Sequence, residues 1–366
     1  MFNKLILLLS LSYVVFFVIL CIISQLKRFD CSLGLNISIL VFLTISLSVI
    51  AFFSTDGSAN TSGWDINRYY ADINKMRGKD ISYAFKNGLY KDTVLTNLLF
   101  FIVSRLNNNA WLQTISTLVS MSIFSYIVID DKRRKNNSFS VQAFYILIVL
   151  SVVTFSTIML GVRWILAVSF CVLGKHLGDR NFNVKSIFVE VICCCIALMF
   201  HYGIILYLLI RLVSLIRSPL PKYFLCGFIF LLPFVRPLVA GSAYLTLAYD
   251  KIIVYSGIVL PDYRLFIVYI LLLICFIIFE FIIIKKDNKN YCFGKNFIAG
   301  LIGSVSIYHL FARTLGIYVL ARGGIFAKQI FSGKNLVLRF IILFMCAGLL
   351  AYQLVFMKTF WRFTIL

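Results

Sequence analysis

The chain has 366 residues, 61% of them hydrophobic and only 13% charged, with a formal net charge of +21. Apolar runs of about 20 residues recur along its length, more apolar surface than a soluble core absorbs, so a polytopic, all-α membrane protein is predicted. The positive charge does not point to nucleic acid, because Lys and Arg sit in short loops between apolar runs, where they encode topology.

Spans are predicted at 5–26, 33–53, 110–129, 139–159, 162–177, 186–200, 202–217, 223–240, 264–284, 296–312, 314–330 and 335–357, about twelve in one transmembrane domain, 1–366. The first run is too long for a signal-peptide core and no small-residue cleavage site follows it, so it is expected to stay as a helix. Basic clusters at Lys27–Arg28, Lys132–Lys135, 175–185, 211–222, 285–295 and 328–334 follow every second span. Those six loops are therefore expected in the cytoplasm and both termini outside. Glu190 and Glu280, near cytoplasmic span ends beside Lys185 and Lys285, read as paired topological charges.

Two outer loops result, at 54–92 and 241–263. The first is the polar centre of the chain, with five Asp and six Lys or Arg. Ser62 and Asp65 have the spacing of a capping box, and Asp65, Arg68, Tyr69 and Asp72 then follow at helical spacing, so one face of a short surface helix is expected to carry all four. The segment 92–107 is apolar but short for a crossing. Counting it as a span would break the charge parity, so it reads as a re-entrant or interfacial helix before the third span. Eight of the ten cysteines fall in spans and Cys31 and Cys292 in cytoplasmic loops, so neither a disulfide framework nor a metal site is expected.

Charged and polar residues at the outer ends of spans are the candidate site. Arg163 lies in Gly161-Val162-Arg163-Trp164, His201 between two spans with hardly a loop between them, Arg264 at the start of a span, and Arg313 between 296–312 and 314–330. An ionised Arg near the hydrocarbon edge costs a few kcal/mol unless it snorkels or finds an anion. Three of them facing one compartment suggest a shared anionic ligand, best a lipid-linked phosphate or pyrophosphate, since Arg grips phosphate oxygens in a bidentate fork and stabilises a leaving pyrophosphate without a metal. Trp64, Tyr69, Tyr70, Trp164, Tyr244, Tyr249 and Tyr255 are placed to stack on sugars or to form the ordinary interfacial aromatic belt.

Gly63-Trp64-Asp65-Ile66-Asn67-Arg68-Tyr69-Tyr70, Gly161-Val162-Arg163-Trp164-Ile165-Leu166-Ala167, Phe200-His201-Tyr202-Gly203 and the late Arg313 together resemble the EpsG branch of the Wzy-type polysaccharide polymerases, over about 54–313. The resemblance implies an enzyme of the bacterial cytoplasmic membrane, without a cofactor, that extends O-antigen, capsule or exopolysaccharide from undecaprenyl-pyrophosphate-linked oligosaccharides. It implies membrane lipids as surroundings, with a chain-length regulator and a flippase as candidate partners. On it, Asp65, Arg163, His201 and Arg313 are the expected catalytic residues, and Arg68, Tyr69, Asp72, Trp164 and Arg264 the expected substrate contacts, with Asp65 or His201 as general base. Plain readings stand beside these: Asp65 as a cap, Arg68 paired with Asp65 or Asp72, Arg163 snorkelling, and His201 as a packing residue. Another polyprenyl-linked glycosyltransferase, an O-antigen ligase and a flippase remain as alternatives. Against the flippase, no two halves of the chain align and the charges cluster at one face.

Overall fold

The computed structural model describes residues 2–26, 30–54, 66–88, 93–135, 137–179, 184–215, 220–231, 263–283, 291–305, 308–332 and 336–356. Regular structure among them is helical, as expected. Four helices are long and apolar enough to cross a bilayer, at Asn3–Gln25, Leu33–Phe53, Trp111–Arg134 and Leu310–Phe331. The chain divides into two compact units, Met1–Ile204 with Leu350–Leu366, and Ile205–Leu349.

The first unit holds α1 (Phe2–Leu26), α2 (Leu33–Phe53), α3 (Ile66–Met76), α4 (Ile81–Asn87), α5 (Val94–Ser104), α6 (Trp111–Lys135), α7 (Phe139–Val152), α8 (Phe155–Leu160), α9 (Val162–Gly178), α10 (Val184–Phe200) and a 3-10 turn at Tyr202–Ile204. Apolar helices slide past one another easily, and buried amides set their register here. Gln25 Nε2 donates to the Ser140 carbonyl at 3.2 Å, and Asn36 donates to Gln142, whose own Nε2 donates to the Val128 carbonyl at 3.1 Å. α6 runs alongside both α2 and α9, and α9 along α10. At the far end of α9 from Arg163, His176 Nε2 lies 2.7 Å from Asp130 Oδ2 of α6.

The span expected at 139–159 is in fact broken. Thr154, with φ 64°, interrupts it between α7 and α8, a left-handed conformation that costs a threonine energy. The break leaves backbone groups without helical partners, and other side chains take their place. Thr154 Oγ1 accepts from the Thr157 amide at 3.2 Å, while Gln353 accepts from the Phe155 amide at 3.1 Å and donates to the Ser151 carbonyl at 2.8 Å. An unbroken apolar composition hides such a break, because hydropathy does not register φ.

At the first α1–α2 connection, Asp30 Oδ1 accepts from Lys132 Nζ at 3.1 Å and from the Phe139 amide at 3.1 Å. Partial burial works to raise the Asp30 pKa, but these two bonds and the Lys132 charge outweigh it and hold the carboxyl below its ordinary value. A depressed carboxylate contributes stability that is present above its unfolded pKa, about 3.9, and lost as pH falls through the lower folded value. Solubilised wild-type protein is therefore expected to lose stability below about pH 4 more steeply than Asp30→Asn, the two melting curves converging in acid. Parallel losses in both proteins would show that Asp30 carries none of this dependence.

In the second unit are α11 (Ile205–Leu215), α12 (Leu220–Leu231), α13 (Tyr263–Ile278) passing into a π turn at Phe279–Ile283, α14 (Tyr291–Ser304), α15 (Tyr308–Ser332) and most of α16 (Leu336–Phe356). Two expectations are corrected here. The break expected at Arg313 is absent: α15 runs continuously through it, and α14 ends earlier, at Ser304, because one Arg in an otherwise apolar run does not by itself end a helix. Nor is Glu280 a topological surface charge. It is fully buried, accepting from Arg322 Nε at 2.9 Å, Arg322 Nη2 at 2.7 Å and the Tyr318 hydroxyl at 2.8 Å. The partner lies 42 residues away, out of reach of any local pairing rule.

Candidate functional site

The polar loop does fold into a short helix, α3, and its amphipathic face seats it on the first unit. Ile66, Tyr69, Ile73 and Met76 pack with Phe100 and Val103 of α5, Leu112 of α6, and Val162 and Leu166 of α9, with Phe200 against the same cluster. Three parts of the chain far apart in sequence, 66–76, 162–166 and Phe200, thus meet at one place.

Along this helix the expected site residues differ in depth. Tyr69 and Asp72 are buried, Tyr69 with its ring 5.2 Å from that of Phe100, but Arg68 is exposed. The buried arc centres between Tyr69 and Ile73, and Arg68, one turn before Asp72, stands just outside its edge. Asp65, with Ser62 and Trp64, lies outside the described residues. Tyr70 donates to Gln113 of α6, and Gln113 Nε2 donates in turn to the Ala51 and Ser54 carbonyls at 2.7 and 2.6 Å, which ties α3 to the end of α2. Burial pushes the Tyr70 phenol well above its ordinary pKa despite the Gln113 contact, so at neutral pH it stays a donor.

The other end of α3 is stapled to α5. Arg77 Nη1 donates to the Leu106 carbonyl at 2.7 Å and the Ser104 carbonyl at 3.3 Å, and Nη2 to Asn109 Oδ1 at 2.6 Å, filling acceptors that the end of α5 leaves open. Arg77→Met is expected to destabilise this layer by about 1–3 kcal/mol. Amide exchange should rise across α3 and α5 while α1 and α2 keep their protection; unchanged exchange in α5 would show that the staple holds nothing.

α5 has 11 residues, a rise of about 16 Å and half of a bilayer core. Its first turn meets Arg163 and the last carbonyl of α10. Arg163 Nε is 3.3 Å from the Phe200 carbonyl and 3.4 Å from Thr96 Oγ1, and Nη2 is 3.4 Å from Thr93 Oγ1. Gly161 sets up this placement. It caps α9 where a Cβ would stand 2.5 Å from the Thr157 carbonyl, so the chain turns out of α8 and straight into the turn that carries Arg163. The α9 macrodipole is positive at this end, so an arginine here is electrostatically opposed by its own helix. Guanidinium and helix end together suit an anion.

Beside it, the His201 ring is held by its own backbone: Nδ1 accepts from the Gly203 amide at 2.8 Å within the 3-10 turn. In a neutral ring the proton then sits on Nε2, so this histidine offers a donor. Trp164, the next residue of α9, is buried.

Arg313 is half-buried in the early turns of α15 and Arg264 stands in the first turn of α13; both belong to the second unit. Tyr244, Tyr249 and Tyr255, with most of the loop at 241–263, lie outside the described residues. No group of three or more His, Cys, Asp or Glu among the described residues is arranged to hold a metal ion. Missed from sequence were Thr93, Thr96, Gln113 and Arg77, neutral or ordinary surface residues until folding brings them to Arg163 and α3. No protein-family model, curated protein or solved structure matches the chain.

Proposed function

We propose that the chain is a Wzy-type polysaccharide polymerase, with about twelve spans in a bacterial cytoplasmic membrane and both termini outside. It joins undecaprenyl-pyrophosphate-linked oligosaccharides into O-antigen, capsule or exopolysaccharide. The observation that carries this reading is that Arg163 meets the Phe200 carbonyl while the loop helix packs in one cluster with Val162, Leu166 and Phe200, because a lipid-linked pyrophosphate needs a fixed cationic donor at a membrane-embedded helix end.

In this reading a hydroxyl of the incoming repeat unit attacks the anomeric carbon of the carrier-linked chain. The C–O bond to the pyrophosphate breaks, and undecaprenyl pyrophosphate leaves with the bonding pair. Arg163 holds the departing pyrophosphate, and the hydroxyl proton passes to a base. Since His201 Nδ1 is occupied by the Gly203 amide, His201 serves as a donor to the pyrophosphate and Asp65 takes the proton. Arg68, Tyr69 and Asp72 shape the acceptor side.

Deleting the gene in its host and resolving surface glycans on gels tests the class of activity. A single repeat unit on the cell surface supports the polymerase. Complete loss of surface units indicates a flippase instead, and unchanged polymer rules out both.

A further inference from the structure

Arg163 is positioned by a helix whose sequence, Thr93-Val94-Leu95-Thr96, shows no sign of a site. Thr96 lies in the first turn of α5, and Thr93 is the N-cap residue just before that turn. Both are buried, at 1% and 0% exposure. The Thr96 hydroxyl donates to the Phe200 carbonyl at 3.0 Å, which turns a lone pair towards Arg163 Nε, and Nε in turn divides its proton between Thr96 and that same carbonyl. Thr93 supplies an independent sign. It occupies the N-cap of α5, where a threonine ordinarily binds a free amide of its own helix and gains about 1 kcal/mol. Here its side chain makes no such capping bond, and the hydroxyl lies 3.4 Å from Arg163 Nη2.

Two hydroxyls and a carbonyl, from α5 and α10, thus meet the Nε and Nη2 atoms of one guanidinium. None of the three carries formal charge, so none of these contacts neutralises the group that it orients. A carboxylate in their place would orient it equally well and neutralise it, to the detriment of anion binding.

We propose that Thr93 and Thr96 are positioning residues that fix the plane of the Arg163 guanidinium for a pyrophosphate. α5 is then the platform of the anion site, and the inference rests on the reading of Arg163 given above. Misplacing a binding group by about 1 Å costs up to a hundredfold in rate, which is the scale on which the hydroxyls act.

The test uses the full chain, expressed in a host lacking its own copy, with two readouts: polymer per folded protein, and retention of undecaprenyl pyrophosphate by purified protein in detergent. Thr96→Val, close to isosteric, is expected to lower both by roughly tenfold or more. Thr93→Val/Thr96→Val is expected to be lower still, and Thr96→Ser, which keeps the hydroxyl, to stay near wild type. In an Arg163→Lys background, whose side chain has no Nε fork to orient, Thr96→Val should add little. Wild-type polymer and retention in Thr96→Val, or a full additive loss in the Arg163→Lys background, overturns the inference while Arg163 keeps its role. Normal polymer from Arg163→Ala overturns the functional reading and, with it, this one.

Discussion

Glu280→Gln or Arg322→Met, made singly, is expected to destabilise the second unit by about 3–5 kcal/mol, among the largest effects of any substitution in this chain. Each leaves one charge or its hydrogen-bonding atoms in an apolar interior without the matching group. Both side chains are fully buried, and the bonds of 2.9 and 2.7 Å are the parallel pair that a guanidinium and a carboxylate make best. Aromatic rings surround the pair: Phe276 and Phe297 pack on Tyr318, and Phe326 packs on Phe276 and on Phe279 of the π turn. Glu280→Leu combined with Arg322→Met removes both charges together and is expected to recover most of the loss. The readout is the melting temperature and the monodisperse fraction of solubilised protein. A double replacement no better than either single one would show that shape, and not charge pairing, is what the site requires. Gly294→Ala makes an independent check: a Cβ there would overlap the Glu280 carboxylate and stand 2.6 Å from Arg322 Nη2, so the pair would have to part.

Arg163→Ala is expected to abolish chains longer than a single repeat unit, at unchanged protein level. Loss of one preorganised donor from a transition state typically costs two to three orders of magnitude, roughly 10²–10³ in rate. Arg163→Lys keeps the charge but not the planar fork, so partial activity with shortened chains is expected. The same substitutions should alter melting far less than activity, because the Thr96 hydroxyl keeps its hydrogen bond to the Phe200 carbonyl when the guanidinium is gone. Long chains from Arg163→Ala would remove it from the reaction. A protein that no longer folds would instead be followed through Arg163→Gln, which keeps polar contacts without charge.

How much of this was legible beforehand differs from element to element. Most helix ends were, since α2 and α9 begin and end within a residue or so of the apolar runs at 33–53 and 162–177. α5 was anticipated as a helix too short to cross. The break at Thr154 and the unbroken α15 were not, because the first depends on one dihedral angle and on Gln353 arriving from the other end of the chain. Arg163 stood out as a lone charge between apolar runs, whereas Thr93 and Thr96 could not, since a buried threonine and a site threonine have the same local sequence.

The amino-acid order alone determined an all-helical chain rich in apolar runs long enough for lipid, and a polar helix after the second run, because composition and periodicity act over one or two turns. Only the tertiary structure decided that α3, the start of α9 and the end of α10 share one cluster, that α5 hands its hydroxyls to Arg163, and that Glu280 spends its charge on Arg322. Those are pairings between distant segments. Which buried polar atom meets which is settled by helix packing, and no window along the chain contains both partners.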